Sequence, residues 1–239
     1  MSFQLNPALA AGPLREQLDG TGRLKIGSFL EPEGAAALAG ELRASPDWKH
    51  VIKGGEQVFE TTPDQLEQMP EAERKTLDEA VYRAARSGFQ YRYDTIRVPD
   101  ALAEREARPD LLAAFARFMS SEPVLDWVRD VTGRSDIAFA DAQATRYRAG
   151  DFLTRHDDNV HGKDRTHAYV FSLTPDWLAE WGGLLLFNDA DGGVAETFVP
   201  AYNALHLFAI GQPHSVSFVA PYAAGDRISV TGWFRTKAP

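Results

Sequence analysis

From residue 137 to residue 236, the chain consists of short runs of β-branched and aromatic residues separated by Gly, Asp, Asn and Pro. Runs of this kind, bounded by turn-forming residues, are typical of strands joined by tight turns. Eight strands are predicted, near residues 138–148, 152–156, 166–174, 183–188, 196–200, 204–210, 214–219 and 226–235. So many short strands, with no helical period among them, predict a sandwich, a jelly roll or a barrel.

The first half of the chain has the pattern of helices. Pro32, flanked by Glu31 and Glu33, marks a helix start, and this helix is predicted to run from Pro32 to Ala44. Its buried stripe is expected at Ala36, Ala37, Leu38 and Leu42.

Further helices are predicted at about 64–86, broken at Pro70, and at about 109–132. Because of Pro123, the second region is expected to be two helices joined at residues 120–122. A hairpin with its turn at Gly54-Gly55 is expected within 49–63, whereas residues 1–23 are expected to be extended or frayed.

No internal repeat, low-complexity tract or long linker interrupts the sequence. We therefore expect a single domain over residues 1–239, in which a helical layer over about 1–136 packs against a β core over about 137–236. The expected class is mostly β with N-terminal helices.

The composition limits the kinds of binding partner and of metal ligand that the chain can use. A formal net charge of -9 disfavours a nucleic-acid partner, since phosphate binding needs a basic surface. No run approaches the ~20 apolar residues that span a bilayer, and no secretory signal is visible, so we expect a cytoplasmic protein without a membrane partner. The chain has no cysteine, which leaves His, Asp and Glu as the candidate metal ligands.

One stretch, Tyr147 to Asp158, ends in a histidine and two acids. In an extended strand the side chains at i and i+2 share a face, so His156 and Asp158 are expected side by side, as two ligands for a divalent metal. Asp157 would point away and is expected to be a solvated acid. This spacing also occurs in solvated loops, and the hypothesis therefore depends on a third ligand.

His214 is the candidate for that third ligand. It opens a strand-like run in which His214, Val216 and Phe218 would share one inward face. A histidine on an apolar face is often an ordinary core residue, but two His and one carboxylate on one side of a metal form the facial triad of non-haem Fe(II) oxygenases. The histidines for which we expect structural or exposed roles are His50, His161, His167 and His206.

Arg227 begins a run in which polar residues alternate with Ile228, Val230 and Gly232. On an edge strand it would be a surface arginine. On an interior face it would need a partner, because burying an unpaired charge is costly. The planar fork of its guanidinium would suit an incoming dicarboxylate.

With these residues, the chain resembles the prolyl-hydroxylase-like branch of the Fe(II)- and 2-oxoglutarate-dependent oxygenases. The resemblance covers roughly residues 142–235, with a weaker similarity at 23–48. The features that carry it, in order, are Tyr147, His156 and Asp158, Arg165, Trp181-Gly182-Gly183 before residues 184–187, His214, and Arg227 followed by Gly232-Trp233-Phe234. The form of the metal motif is most similar to the subgroup that includes ribosomal-protein prolyl hydroxylases.

The resemblance implies a double-stranded β-helix, the jelly roll that cupins share. It implies that the ligands of Fe(II) are His156, Asp158 and His214. It also implies that Arg165 lies at the substrate entrance and that Trp233 packs near the metal, where it could shape the substrate pocket.

The same resemblance implies how 2-oxoglutarate binds. Its ketoacid end would lie on the metal and its far carboxylate on Arg227, with help from the hydroxyl of Tyr147. Where many relatives have a second tyrosine, this chain has Ser172. Ser172 could donate a shorter hydrogen bond, or Thr231 could compensate.

The implied activity is hydroxylation of a prolyl residue in a protein substrate by O2 and 2-oxoglutarate, with release of succinate and CO2 and with ascorbate as a supporting reductant. Two alternatives remain: the same chemistry on a free amino acid or other small metabolite, and a cupin-like module that binds a metal or ligand without turnover. Whether the native metal is iron or manganese also remains open.

Overall fold

A computed structural model describes residues 2–238 of the chain. Within them, the helices are α1 (Ala11–Thr21), α2 (Pro32–Ala44), α3 (Pro63–Glu67), α4 (Glu71–Ala85), α5 (Leu102–Ala107), α6 (Leu111–Met119) and α7 (Glu122–Thr132). The strands are β1 (Arg23–Ile26), β2 (Lys49–Gly54), β3 (Gln57–Thr61), β4 (Tyr91–Arg97), β5 (Phe139–Ala140), β6 (Gln143–Tyr147), β7 (Phe152–His156), β8 (Arg165–Leu173), β9 (Leu185–Asn188), β10 (Val194–Phe198), β11 (Tyr202–Ala209), β12 (His214–Val216) and β13 (Arg227–Arg235).

These strands form one continuous sheet that curls into a nearly closed barrel. One wall has the order β1-β11-β8-β13-β6-β4, and the other has the order β7-β12-β9-β10. Strand β4 joins the walls, because it pairs with β6 through residues 94–97 and with β7 through Tyr91 and Arg92. The mostly β class and the jelly-roll core predicted from the sequence are confirmed.

Strand β8 is buried on both of its faces. Phe171 faces the helices, where it stacks on Phe115 of α6 with ring centroids 5.2 Å apart, whereas Ala168 and Val170 pack with the apolar residues of the barrel interior. Successive side chains of a strand alternate between faces, so a strand covered on both sides reads as a continuous apolar run. The helices cover the outside of this wall and leave its inner face for a site.

The prediction that residues 1–23 are extended is wrong, because α1 occupies Ala11–Thr21. Only Leu18 of this helix is buried, so its sequence lacks the apolar stripe that predicts a helix. The helix ends at Gly22, whose φ of 72° is the left-handed conformation typical of a helix C-terminus. Helix α5 was likewise not predicted.

The bounds of α2 are those predicted, but its buried stripe is not. Ala36 is exposed and Ala37 only half-buried, and the residues that contact the core are Gly34, Ala35, Leu38, Ala39 and Leu42. Positions 35, 38, 39 and 42 lie on one face of a 3.6-residue period, whereas 36 does not. Because apolar residues occupy neighbouring positions of this segment, the sequence alone does not show which face of the helix is buried.

Several other local predictions are confirmed. The hairpin within 49–63 is β2 paired with β3, a break at Pro70 separates α3 from α4, and residues 120–121 separate α6 from α7. The strand predicted at 138–148 is instead two strands, because residues 141–142 leave the ladder and the Asp141 carboxylate accepts the Trp233 backbone N–H at 2.7 Å.

None of the helices within residues 2–238 is both long enough and apolar enough to cross a membrane.

Candidate metal centre and cosubstrate cavity

Two histidines face each other across neighbouring strands. His156 ends β7 and His214 begins β12, and the antiparallel register of these strands makes the two residues direct partners. Their imidazole rings lie 4.1 Å apart, centroid to centroid. Strand pairing alone therefore brings together two residues that are distant in the sequence.

Asp158 completes the group from outside the strand. Strand β7 ends at His156, and Asp158 has a φ of 59°, a left-handed conformation that Asp and Asn tolerate better than most residues. The sequence argument, in which His156 and Asp158 share a strand face, is thus wrong in its reason, although the two side chains do converge. The Asp158 carboxylate oxygens lie 3.4 Å from His156 Nε2 and 3.3 Å from His214 Nε2.

Backbone carbonyls hold both imidazoles in a fixed orientation. His156 Nδ1 lies 3.1 Å from the Thr154 carbonyl oxygen, and His214 Nδ1 lies 2.9 Å from the Gln212 carbonyl oxygen. With an N–H at Nδ1 bonded to a carbonyl, an imidazole that gives up its Nε2 proton offers Nε2 as a lone-pair donor, the arrangement usual for metal-binding histidines. One donor atom from each of His156, Asp158 and His214 lies within 4.8 Å of the other two.

The Asp158 carboxyl is ionised at ordinary pH. Burial alone would raise its pKa, but the hydrogen bonds and charges of His156 and His214 outweigh burial and hold the pKa far below its usual range. An anionic oxygen and two imidazole nitrogens on one side of a point form a donor set that fits Fe(II) or a similar divalent metal.

A cavity of about 340 Å³ opens from this group into the barrel. Its walls are mostly apolar and aromatic, and they include Tyr91, Tyr147, Leu153, Val170, Leu185 and Phe208. A mostly apolar cleft with a few convergent polar groups is the usual form of a small-molecule site.

Arg227 lies on the wall of this cavity and is 2% exposed, not directed to bulk solvent. Its guanidinium carbon lies 5.0 Å from the centre of the Tyr147 ring, but its Nε and Nη1 atoms make no hydrogen bond within residues 2–238. Burial lowers the pKa of Arg227, and the opposing influence comes from Tyr147 rather than from a carboxylate. Gly183 lies against its stem, since a Cβ there would be 3.3 Å from Arg227 Cδ.

Of the other residues predicted to bind the cosubstrate, two lie on the cavity wall and one does not. Tyr147, the cross-strand partner of Arg227, and Thr231 both lie on the cavity wall. Ser172 lies on the same inner face of the sheet, opposite Ser229, but not on that wall. Its hydroxyl accepts the Ala201 backbone N–H at 3.2 Å.

Arg165 and Trp233 form the outer rim of the cavity. The Arg165 guanidinium lies 3.5 Å from the centre of the Trp233 ring, and Nη1 donates to the Asp158 backbone carbonyl at 3.3 Å. The cation–π contact and the hydrogen bond hold the Arg165 guanidinium beside Asp158. The two predicted substrate-side residues are therefore in contact with each other.

Strand β4 supplies residues that were not predicted to be functional. Tyr91 and Tyr93 of this strand line the cavity, as does Phe89, two residues before the strand begins, and Tyr93 stacks on Tyr147 with ring centroids 5.2 Å apart. Burial raises the pKa of Tyr93 to about 12, so its hydroxyl stays protonated. The alternation of aromatic residues at 89, 91 and 93 is a strand signal that could have placed all three on one face.

Asp157 and Phe218, which neighbour the site residues in sequence, are both exposed. Asp157 is exposed, and its carboxylate accepts the Asn159 backbone N–H at 3.0 Å. Phe218 does not share the inward face of His214, because β12 ends at Val216 and Phe218 is 44% exposed.

The buried carboxylate of Asp94, on β4, contacts three basic side chains. Asp94 is fully buried and lies 2.7 Å from His50 Nδ1, 2.7 Å from Arg146 Nη2 and 3.1 Å from Arg148 Nε. The structural role expected of His50 is thus a contact with this acid. Burial alone would raise the pKa of Asp94, but the bond to His50 and the two arginines lower it below its ordinary value.

We expect Asp94→Asn to destabilise the protein by about 3 kcal/mol at pH 7, because it leaves basic groups without their buried counter-charge. The lowered pKa sets the sign of the pH dependence: this stabilisation is present above the ordinary value of 3.8 and is lost as the pH falls below it. Urea unfolding curves of the two proteins should therefore converge in acid.

Glu67→Gln is the matched control, because Glu67 is 71% exposed and pairs with the same Arg148. Exposed pairs contribute about 0–1 kcal/mol. Equal losses in the two variants would show that burial of Asp94 has no special weight.

The proteins to which this chain is similar belong to a class that matches the grouped side chains of the site. Residues 142–235 match the model of the 2OG-Fe(II) oxygenase superfamily. The chain is 30% identical over 115 residues to mouse prolyl 3-hydroxylase OGFOD1 and 28% identical over 137 residues to Drosophila melanogaster prolyl 3-hydroxylase sudestada1. These matches cover 45% and 52% of this chain but only 21% and 25% of the relatives, so the chain spans a quarter or less of their length.

Solved structures share the fold. A prolyl 4-hydroxylase from Pseudomonas putida superposes with a TM-score of 0.62 at 20% identity, covering 95% of this chain and all of the other. A prolyl hydroxylase from Trichoplax adhaerens, solved with a peptide of the hypoxia-inducible factor, has a TM-score of 0.60 at 17% identity and covers 93% of this chain and 87% of its own.

The fold and the grouped side chains agree with the family match, in which residues 142–235 are similar to the core of 2OG-Fe(II) oxygenases. The relatives and solved structures to which the chain is similar include prolyl hydroxylases, and the resemblance seen in the sequence is confirmed.

Proposed function

We propose that the protein uses Fe(II), O2 and 2-oxoglutarate to hydroxylate a prolyl residue of a protein or peptide, releasing succinate and CO2. The observation that carries the proposal is the convergence of His156, Asp158 and His214 at a cavity that also contains the buried guanidinium of Arg227, which has no carboxylate partner within residues 2–238. A metal bound by the His156, Asp158 and His214 side chains would explain their convergence, and a dicarboxylate that reaches Arg227 would give its guanidinium a partner. The prolyl 3-hydroxylase relatives support the choice of substrate.

His156 and His214 would hold the metal through Nε2, and Asp158 would hold it through a carboxylate oxygen. Bound Fe(II) would supply the redox chemistry that couples O2 and 2-oxoglutarate to hydroxylation of a C–H bond. The protein orients the ligands through the carbonyls of Thr154 and Gln212. The same ligands would accept Mn(II), and we propose iron because the class uses it.

Arg227 would bind the far carboxylate of 2-oxoglutarate, and Tyr147 and Thr231 would flank it on the cavity wall. The apolar remainder of the wall excludes water, which strengthens these polar contacts. Tyr147 can act only as a neutral hydrogen-bonding group, because burial raises the pKa of its hydroxyl far above the ordinary value. Ser172 remains a predicted donor that lies off the cavity wall.

The outer rim supports a protein or peptide substrate over a metabolite. Phe89 and Val160 line the cavity and are also 45% and 49% exposed, so an apolar surface continues outward from the metal centre. Such a surface would contact residues beside a target proline. Arg165 would donate to a backbone carbonyl of the peptide, and Trp233 would pack against it.

The proposal is tested by incubating the protein with Fe(II), 2-oxoglutarate, ascorbate and proline-containing peptides, followed by mass spectrometry. We expect a gain of one oxygen atom on a proline, and no gain when that proline is replaced by alanine. Oxidation of a free amino acid instead would leave the reaction class intact and contradict the peptide substrate. An iron-loaded protein that forms no succinate would favour the binding-only module, although such a module has no need of Arg227.

Two broader expectations remain proposals. A single domain is supported by β1, β2 and β4, which come from the N-terminal half and pair within the barrel sheet; the outermost predicted bounds, residues 1 and 239, lie outside the described range. One cooperative unfolding transition would test it. The cytoplasmic location expected from the sequence stays a prediction.

A further inference from the structure

The loop between β11 and β12, residues 210–213, contacts both sides of the candidate metal centre. The Gln212 backbone carbonyl oxygen lies 2.9 Å from His214 Nδ1 and orients that imidazole. The Gly211 backbone N–H donates to the carbonyl of Asp157, one residue before the candidate carboxylate ligand, at 3.0 Å. The position of this loop therefore affects how the candidate ligands are presented to a metal.

The Gln212 side chain ties this loop to the junction between α1 and β1, which consists of Gly22 and Arg23. Its Oε1 atom accepts from Arg23 Nη1 at 3.2 Å, and its Nε2 atom donates to the Gly22 backbone carbonyl at 2.5 Å. An arginine can only donate and a carbonyl can only accept, so a single orientation of the Gln212 amide satisfies both contacts. A contact at each end of the amide fixes this half-buried side chain.

The junction is itself held in place. Arg23 Nε lies 2.6 Å from the Glu196 carboxylate, and the Arg23 guanidinium carbon lies 4.7 Å from the centre of the Phe187 ring. The Gly22 carbonyl also accepts the Ala209 backbone N–H at 3.1 Å, where β1 pairs with β11. The junction is therefore a fixed point from which the loop can be positioned.

We infer that Arg23 and Gln212 are positioning residues for the metal centre, because they hold the backbone carbonyl that orients the His214 imidazole. The inference rests on the proposed function, since it requires a metal to bind at this centre. The junction lies outside residues 142–235, which match the family model, so a segment of the N-terminal layer would help to set the geometry of the metal site.

Titrations of the metal-free protein with Fe(II), without oxygen and against a competing chelator, test the inference. Gln212→Met keeps the length of the side chain but lacks the amide, so the loop is no longer tied to the junction. We expect Fe(II) affinity to fall about 10-fold, the lower end of the range for groups that orient a ligand. The visible absorption bands of Co(II)-loaded protein should also shift, because they depend on ligand geometry, whereas the melting temperature of the metal-free protein should change little.

Arg23→Met shows whether the two side chains act as a unit. If Arg23 acts through Gln212, the double variant should bind Fe(II) as Gln212→Met alone does, because coupled residues are not additive. Glu196→Gln is the matched control, since it removes the charged partner of Arg23 and leaves the Arg23–Gln212 hydrogen bond in place. Its Fe(II) affinity and its Co(II) spectrum should be those of the wild type.

Two glycine variants cover the case in which Gln212→Met does not fold. Gly22 and Gly133 end α1 and α7 in the same left-handed conformation, with φ of 72° and 68°, so alanine strains the backbone similarly at both. A Cβ at Gly22 would lie 2.5 Å from Gln212 Nε2, whereas a Cβ at Gly133 would meet the Arg15 side chain. We expect Gly22→Ala to weaken Fe(II) binding and to shift the Co(II) bands, and Gly133→Ala to do neither.

The inference is overturned if Gln212→Met keeps wild-type Fe(II) affinity and an unchanged Co(II) spectrum. It is also overturned if the losses of Arg23→Met and Gln212→Met add, if Glu196→Gln loses as much affinity as they do, or if the two glycine variants behave alike. A wild-type protein that binds neither Fe(II) nor Co(II) would instead overturn the proposed function itself.

Discussion

Asp158→Asn should reduce Fe(II) affinity at least 100-fold and abolish succinate formation. The loss of a group that merely orients a ligand already costs about 10- to 100-fold in metal affinity, and Asp158 is the anionic member of the proposed ligand set itself. Asparagine is the informative replacement, because it tolerates the left-handed φ of 59° at this position and so removes the charge without straining the backbone. Iron retained after anaerobic gel filtration measures the effect directly.

Asp157→Asn is the matched control, since it makes the same chemical change one residue earlier in an exposed side chain. Asparagine can still accept the Asn159 N–H, so the loop should keep its shape and the variant should keep its iron. Metal-free samples of both variants should melt within a few degrees of wild type. An Asp158→Asn protein with wild-type turnover would show that the ligand assignment is wrong.

The grouping of His156, Asp158 and His214 could be predicted from residue type and position, but not from local geometry. The period of two places His156 correctly, yet Asp158 lies beyond the strand in a left-handed conformation that the period does not describe. His214 reaches the site through the register of β12 with β7, a non-local pairing that one sequence does not contain. The residue types carried the prediction because few other side chains bind Fe(II).

The errors in the fold have the same origin. Helix α1 has one buried residue and therefore no apolar stripe. Helix α2 is rich in alanine on several of its faces, so its sequence does not show which face is buried. Strand β4 carries alternating aromatic residues, but its place as the bridge between the two walls follows from its pairing with both β6 and β7. Local pattern predicts an element, and tertiary packing decides which face is buried.

Arg227 shows what alternation can and cannot predict. The alternating run places its side chain on the inner face, and its burial follows once the barrel closes. Its contact with Gly183 could not be predicted, because it depends on how the segment before β9 packs against β13 in the closed barrel. The family resemblance suggested Ser172 and Thr231 as helpers of Arg227, and of these two only Thr231 lies on the cavity wall.

Arg227→Met should weaken 2-oxoglutarate binding by roughly 150- to 4,000-fold. A buried charge pair that loses one partner costs about 3–5 kcal/mol, and each 1.4 kcal/mol is a factor of ten in affinity. Methionine fills much of the volume of the arginine stem, so the contact with Gly183 is kept while the charge is removed. The Michaelis constant for 2-oxoglutarate and its dissociation constant in oxygen-free titrations should both rise, and an unchanged value of either would rule out the clamp role.

The same substitution should stabilise the ligand-free protein, because Arg227 is buried with no carboxylate partner within residues 2–238. Replacing buried charges with apolar side chains of similar size is often stabilising by about 1–4 kcal/mol. Saturating 2-oxoglutarate should then raise the melting temperature of the wild type but not that of Arg227→Met, since only a ligand that binds can stabilise the folded state. Arg227→Lys, which keeps the charge without the fork, should show neither the gain in stability nor full cosubstrate affinity. If Arg227→Met were less stable than the wild type without ligand, the guanidinium would have a structural partner, and its burial could not be attributed to cosubstrate binding.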